Sequence, residues 1–574
     1  MKLSIRLVPV TVAALVSSHA WAADPSSVSA DTIFHGGTVV TVNAKQPQAT
    51  ALAIKDGNIL AVGDQASILK RYAGKDTQIV DLKGRTVMPG FVEPHVHISL
   101  TAVTENVALD LSNFTLPYDT LDTILGKLKA AKAKLPDGSW IIGFGVDPSR
   151  TTPLMAELTA DLLDTVSTTN PIFIVNQSGH IAYVNHKALE VAGITDATPD
   201  PGNGGVYVKD AMGRLTGVLV EPPSYTAFAK KMTPESPDVI VDAYMKTVRS
   251  LAATGITTSA EIALGSIMPV EKEFAMVTEL SHRPDFPIRV RAYLWGVALP
   301  AGFSTIKPNQ GDDRFRTIGV KYIGDGSTQG LTAAVSKPYA YPEGTTNRGA
   351  LDWEEAKLLG AAKPFFDQGW QISIHANGDR TVAQALSIYG KLLQGTKDPA
   401  RRRLRIEHFT VTTEQEVALA QKLGVAPSMT IGHVDYWGEV FHDHILGPER
   451  ADRIDPTGSL SKRNVRFSFH SDSPVSPYGP LQYISTGASR LWQKPPRTVL
   501  GPQQRVAVDR AIKAVTLDAA YAMLMDDKVG SLEPGKWADL VILDQNPRRT
   551  ELTKIPQIKV LETWVGGKRA FAAK

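Results

Sequence analysis

The chain has 574 residues, with 61 lysines and arginines against 58 aspartates and glutamates, and no cysteine. The length suits a large catalytic domain with a smaller companion, and a net charge of +3 without a long basic run gives no sign of a nucleic-acid surface, so the expected partner is a small molecule. Without cysteine there are no disulfides, no thiolate nucleophile and no thiolate-bound zinc, so a metal would be held through nitrogen and oxygen.

The first 22 residues have the layout of a secretory signal: Lys2 and Arg6, an apolar run over 7–16, and small residues around Ala20-Trp-Ala22. The run is short for a membrane span. The expectation is a mature chain beginning near Ala23, without a membrane span, in a bacterial periplasm. Over 31–88, short alternating segments at 38–42, 51–54, 59–62 and 78–82 predict antiparallel strands, with Lys55-Asp-Gly-Asn58 as a turn in which Gly57 takes positive φ. The pattern returns over 527–574, at 538–543 and 559–565, so both ends are expected to build one small sheet domain.

Between them, over 89–526, apolar strand candidates at 141–144, 172–175, 288–294, 318–323, 372–375, 404–408, 427–431 and 465–469 are interspersed with helical spacing at 239–252, 354–366, 382–393 and 414–423. Repeated βα units of this number predict an α/β fold, a TIM-like (β/α)8 barrel. A Pro- and Gly-rich stretch over about 110–237 is too long for one connection and reads as an insertion.

In such a barrel, reactive side chains project from the C-terminal ends of the strands onto one face. His95 and His97, two apart at the end of a strand-like run, share a side of it and suit one metal ion. Later candidate strands end in His375, His408 and Asp472. His375 is placed on one face with Ser373 and Gln371, and His408 with Ile406 and Leu404. Any one of these histidines could be a hydrogen-bonded core residue, but four on three strands are hard to explain that way.

Lys321 is expensive to bury charged within an apolar strand. A neutral amine there can react with carbon dioxide to give a carbamate, an oxygen ligand able to bridge two ions; the alternative is an ion pair with Asp325. Asp472 can serve as ligand and as catalytic base, or as a turn cap. His470 is placed behind the ligands or in the core, and His442-Asp-His444 is read as solvated.

Six segments together carry a resemblance: Pro89-Gly-Phe-Val-Glu-Pro-His-Val-His97, Val320-Lys-Tyr-Ile-Gly-Asp-Gly-Ser327, Ile374-His-Ala-Asn-Gly-Asp-Arg380, Arg405-Ile-Glu-His408, Ser471-Asp-Ser-Pro-Val475 and the stretch 530–544. The chain resembles the amidohydrolase superfamily, in the family 3 branch that includes N-substituted formamide deformylase-like enzymes. The resemblance implies a metal-dependent hydrolase of non-peptide C–N bonds, with a β-sandwich made from both chain ends. It implies two divalent ions, zinc by the donor set: His95 and His97 on one, His375 and His408 on the other, carboxylated Lys321 between them and Asp472 as ligand and base.

His180, in a segment similar to a family motif near the substrate, is a candidate substrate contact, as are Asp325, His433 and Trp437. Aromatic residues in the insertion and late loops suggest an apolar or aryl substrate. Departures from the family pattern fall at Asn377 and Glu93-Pro94. An esterase or lactonase, a mononuclear deaminase-like enzyme and a non-catalytic binding or regulatory protein are the competing readings. The oligomeric state stays open, a homodimer being one option.

Overall fold

A computed structural model describes residues 28–574 apart from 203, 233–235 and 301; the leader expected over 1–22 lies outside the described residues. Eight parallel strands form the central sheet: β1 (Phe91–Val96), β2 (Ile256–Leu264), β3 (Arg289–Trp295), β4 (Phe315–Ile323), β5 (Gln371–Ala376), β6 (Arg405–His408), β7 (Ala426–Met429) and β8 (Ser468–Phe469). Neighbours in sequence are neighbours in space, from β8 across to β1. Just beyond β8 a parallel bridge between Val96 and Ser473 joins the two edges into a TIM-like barrel.

Strand alternation gives the barrel two unlike faces. Ile372 and Ile374 pack into the apolar layer under the helices with Val382 and Leu386, while Gln371 and Ser373 point inward, to Tyr293 and Glu407. Arg405 crosses the interior, donating to the Tyr293 hydroxyl, Pro94 O and Glu407. Burying that cation is tolerable because each of these acceptors is fixed.

Two predicted strands belong elsewhere. Ile141–Val146 and Ile172–Asn176 join four other strands in a separate sheet, inserted in the chain between β1 and β2. That sheet has its own apolar layers, one around Leu128, Ile174 and Tyr183 and another around Phe173, Leu219 and Phe228. The real second barrel strand, β2, was not predicted. Its sequence, Ile-Thr-Thr-Ser-Ala-Glu-Ile-Ala-Leu, carries hydroxyls and a carboxylate at positions that tertiary packing buries completely.

Both chain ends meet in one layer. Thr86–Pro89 pairs antiparallel with Leu540–Leu543, and a shared core of Phe34, Leu52, Val87, Leu540, Ile542 and Trp564 lies between the two terminal sheets. A nearly buried ion pair, Arg289 Nε to Asp539 Oδ2 at 2.7 Å, ties this layer to β3. Among the described residues, no helix is long and apolar enough to cross a membrane.

Candidate metal centre

His95 lies near the C-terminal end of β1 and His97 one residue beyond it. The backbone ladder continues past the strand ends: Asp472 N donates to His95 O and His97 N to Ser473 O, at 3.2 and 3.0 Å. This pairing sets Asp472, in a left-handed backbone conformation with φ 59°, against both rings. Asp472 Oδ1 is 2.8 Å from His95 Nε2 and 3.2 Å from His97 Nε2. The Glu93 carboxyl accepts from Ser471 N, and burial pushes it up to about 8.

The other two histidines come from β5 and β6. Their rings are 4.3 Å apart, and His408 is 5.1 Å from His95. The expectation that His408 shares a face with Leu404 and Ile406 is corrected: those two pack into the outer apolar layer, while the His408 ring turns into the mouth. The reason is local. His408 and Phe409 both have positive φ, 71° and 51°, which breaks strand alternation at the last residue and lets Glu407 and His408 both reach the interior.

Hydrogen-bond partners decide which nitrogen of each ring is free. His95 Nδ1 lies 2.8 Å from the Glu407 carboxylate and must donate, leaving Nε2 with a lone pair. His375 Nε2 lies 3.1 Å from the carbonyl of Gly326, leaving Nδ1. The Thr430 hydroxyl occupies His408 Nδ1 at 2.7 Å, leaving Nε2. Burial lowers the pKa of His97 to about 4 and those of His375 and His408 well below the usual value. Asp472 is also buried, but its contacts with the surrounding histidine rings, His95 first, hold it well below the carboxylate range. Neutral imidazoles around a carboxylate are the protonation states that ligate metals.

His95 Nε2, His408 Nε2 and Asp472 Oδ1 are buried without a hydrogen-bond partner. His95 Nε2 and a carboxylate oxygen at 2.8 Å need either a proton or a metal cation between them. The donor set therefore fits a divalent ion at His95, His97 and Asp472, whose ligand atoms lie within 4.8 Å of one another. Lys321 extends from β4 into the same cavity as His97, His375 and Asp472. Among the described residues no hydrogen bond or ion pair holds its Nζ, and burial brings its pKa down to about 8. Asp325 does not pair with it: that carboxylate accepts from the backbone N–H groups of Ala334, Asn377 and Gly378.

The four substrate-contact candidates separate. His180 lines the cavity, 4.9 Å from the His375 ring, with Nδ1 2.7 Å from Glu221 Oε2. Burial opposes its charge, but Glu221 together with the charges of Asp325 and Asp472 outweighs burial, and its pKa is raised. The other three do not line this cavity. Asp325 is wholly enclosed and organises the turn after β5. Trp437 is buried, its indole N–H donating to Asp147 Oδ2 at 2.7 Å, so it clamps the insertion to the barrel. His433 packs against Trp437 and Phe441, with Nδ1 3.6 Å from Asp455.

Glu407 and Glu221 escaped the sequence reading. Arg405 and Glu407, two apart on one buried strand face, were the available signal for the first. His470 stacks behind His95 at 4.4 Å, and His442 is bonded to its neighbour Asp443 at the surface.

A parallel barrel whose mouth gathers imidazoles, a carboxylate and a lysine amine defines the metal-dependent barrel hydrolases. The chain belongs to the amidohydrolase family, whose model matches residues 78–571, and is a hydrolase acting on C–N bonds. It is 27% identical to N-substituted formamide deformylase of Arthrobacter pascens, over 94% of this chain and 97% of that one. It is 29% identical to the protein LONG AFTER FAR-RED 3 of Arabidopsis thaliana, over 95% and 92%. A crystal structure of an uncharacterized metal-dependent hydrolase from Pyrococcus horikoshii shares the fold, with a TM-score of 0.69 and 24% identity over 91% of this chain and 99% of that one.

Proposed function

We propose that the protein hydrolyses a non-peptide C–N bond, in an amide, N-formyl compound or carbamate, of a small neutral substrate bearing an apolar or aryl group. The carrying observation is the set of unpartnered lone pairs on His95, His408 and Asp472, opening beside a cavity of about 230 Å³. One wall of that cavity carries His97, Lys321, His375 and Asp472; Leu100, Phe144, Tyr225, Ile267, Trp295 and Val475 contribute much of the rest. Beyond the metal cluster and His180 the lining offers no charged side chain to pair with an ionic substrate. The likeness to the formamide deformylase supports this reading.

His95, His97 and Asp472 would hold one zinc ion, His375 and His408 a second, with carboxylated Lys321 shared between them. Such ions polarise a carbonyl and lower the pKa of water. Asp472 accepts the proton released as water adds to the carbonyl carbon, and returns it to the nitrogen as the C–N bond breaks, giving an acid and an amine. His180, as the imidazolium that Glu221 stabilises, donates from Nε2 to the oxygen on which charge develops. The apolar wall orients the substituent and excludes bulk water.

The test is a panel of N-formyl, N-acyl and carbamate compounds with matched esters, offered to purified protein before and after chelation. Amide turnover that chelation abolishes and zinc restores is the expected result. Undiminished turnover after complete metal removal would overturn the reading, and turnover confined to esters would replace it with an esterase or lactonase.

A further inference from the structure

The inserted sheet reaches the cavity with one residue pair that the barrel does not supply. Strands Ile181–Val184 and Leu215–Val220 pair antiparallel, Ile181 opposite Val220. His180 and Glu221 are the next residues at that end, and Glu221 N donates to His180 O at 2.7 Å. Two side chains 41 residues apart are thereby brought together, with His180 Nδ1 on Glu221 Oε2 at 2.7 Å. Both are buried, at 9% and 3% exposure.

Glu221 is costly to place here. Its φ is 58°, a backbone region that favours glycine, and its Oε1 is buried without a partner. Space for the carboxylate exists because residue 326 is glycine: a Cβ there would lie 2.5 Å from Glu221 Oε1. The carbonyl of the same glycine faces His375 Nε2. Backbone strain and burial are therefore both borne at the residue that places a carboxylate on His180 Nδ1, and the glycine that leaves it room also makes way for Thr332. The geometry repeats Glu407 on His95 Nδ1, with the difference that His180 lines the cavity.

We infer that Glu221 is a positioning residue for the hydrolytic reaction: it fixes the ring orientation of His180 and keeps a proton on its Nδ1, so that the insertion delivers the ring to the scissile group. The inference deepens the proposed function and rests on it for the identity of the reaction. A carboxylate that orients a histidine typically contributes about ten- to a hundredfold.

The zinc-loaded full chain and its Glu221→Gln, His180→Ala and double variants test this, using the best substrate of the panel. Glu221→Gln is expected to lower kcat about ten- to a hundredfold at little change in KM. The double variant should be no slower than His180→Ala alone, because Glu221 acts only through that ring. Glu221→Asp, which keeps the charge on a shorter arm, should recover part of the loss, and it stands in if Glu221→Gln does not fold.

Zinc content should stay at the wild-type value in each variant, and each should still unfold cooperatively, at a lower temperature where the buried pair is broken. Multiplying effects in the double variant, an unchanged kcat in Glu221→Gln, or zinc loss tracking the kcat loss would each overturn the assignment. Absence of wild-type turnover would count against the proposed reaction instead. Nitrogen NMR of histidine-labelled protein then decides the positioning role alone: the signal missing in His180→Ala must show a protonated Nδ1 and must change in Glu221→Gln.

Discussion

His95 Nδ1 donates to Glu407 Oε2 across 2.8 Å, and neither side chain reaches solvent. Glu407 is also gripped by Arg405 and Ser373, so the His95 ring cannot turn without disturbing a buried ion pair. Glu407→Gln should weaken metal binding about ten- to a hundredfold, read by competition with a chelator. It should also destabilise the fold by about 3–5 kcal/mol, because Arg405 is left buried without a countercharge. Unchanged metal affinity in the folded variant would remove Glu407 from the site.

Lys321 has burial without a partner among the described residues, and its pKa is brought down to about 8 by that burial against the charges of Glu407 and Asp472. Lys321→Met removes the cost of enclosing an amine while filling similar volume, so the variant should be at least as stable as the parent. Its zinc content should fall from two ions per chain to one. In gently purified parent protein, native mass measurement at neutral pH should find one added carbon dioxide that Lys321→Met lacks. Two ions retained by Lys321→Met would refute a bridging role.

Trp437 and Phe144 are both large aromatic residues, but only Phe144 lines the cavity. Trp437→Phe leaves Asp147 Oδ2 without its donor, while Oδ1 keeps those from Ser149, and should cost about 1–3 kcal/mol of stability with KM unchanged. Phe144→Ala should instead raise KM for aryl substrates, by up to about tenfold. If Trp437→Phe shifted KM more than Phe144→Ala did, the placement of these two side chains would be wrong.

Glu261, in β2, accepts from Ser99 N and Ala263 N. Burial, and then the charge of nearby Glu273, raise its pKa to about 8. An acid with a folded pKa above its unfolded value binds more protons in the folded state. Its contribution is therefore most favourable below about 4.5 and is lost as pH rises to about 8. Glu261→Gln carries no such titration. Its melting temperature relative to the parent should climb steadily as pH is raised through that window, whatever fixed penalty the lost acceptor imposes. A difference independent of pH would contradict a protonated Glu261.

Much of the fold was readable because period-2 and period-3.6 apolar patterns follow from burying one face of an element. Ile372, Ile374 and their inward neighbours Gln371 and Ser373 fell where alternation places them. β2 was missed because Thr257, Thr258, Ser259 and Glu261 are polar residues made buriable by partners distant in sequence, and pattern alone cannot see those partners. The strands at 141 and 172 have the same local signature as barrel strands; only pairing shows that they stack in a different sheet.

The residue types able to bind metal were set by the sequence itself: a cysteine-free chain with His95, His97, Lys321, His375, His408 and Asp472 at the ends of its apolar runs. Which of their atoms face one another was decided in three dimensions. Positive φ at His408 reverses the direction that strand periodicity assigns to it, and Glu407, Thr430 and Gly326 choose the free nitrogen on His95, His408 and His375. The same holds for His180, whose partner Glu221 is neither near in sequence nor marked by any motif. Side-chain chemistry is local and can be read residue by residue, whereas orientation and protonation depend on neighbours that only the folded chain brings within hydrogen-bonding distance.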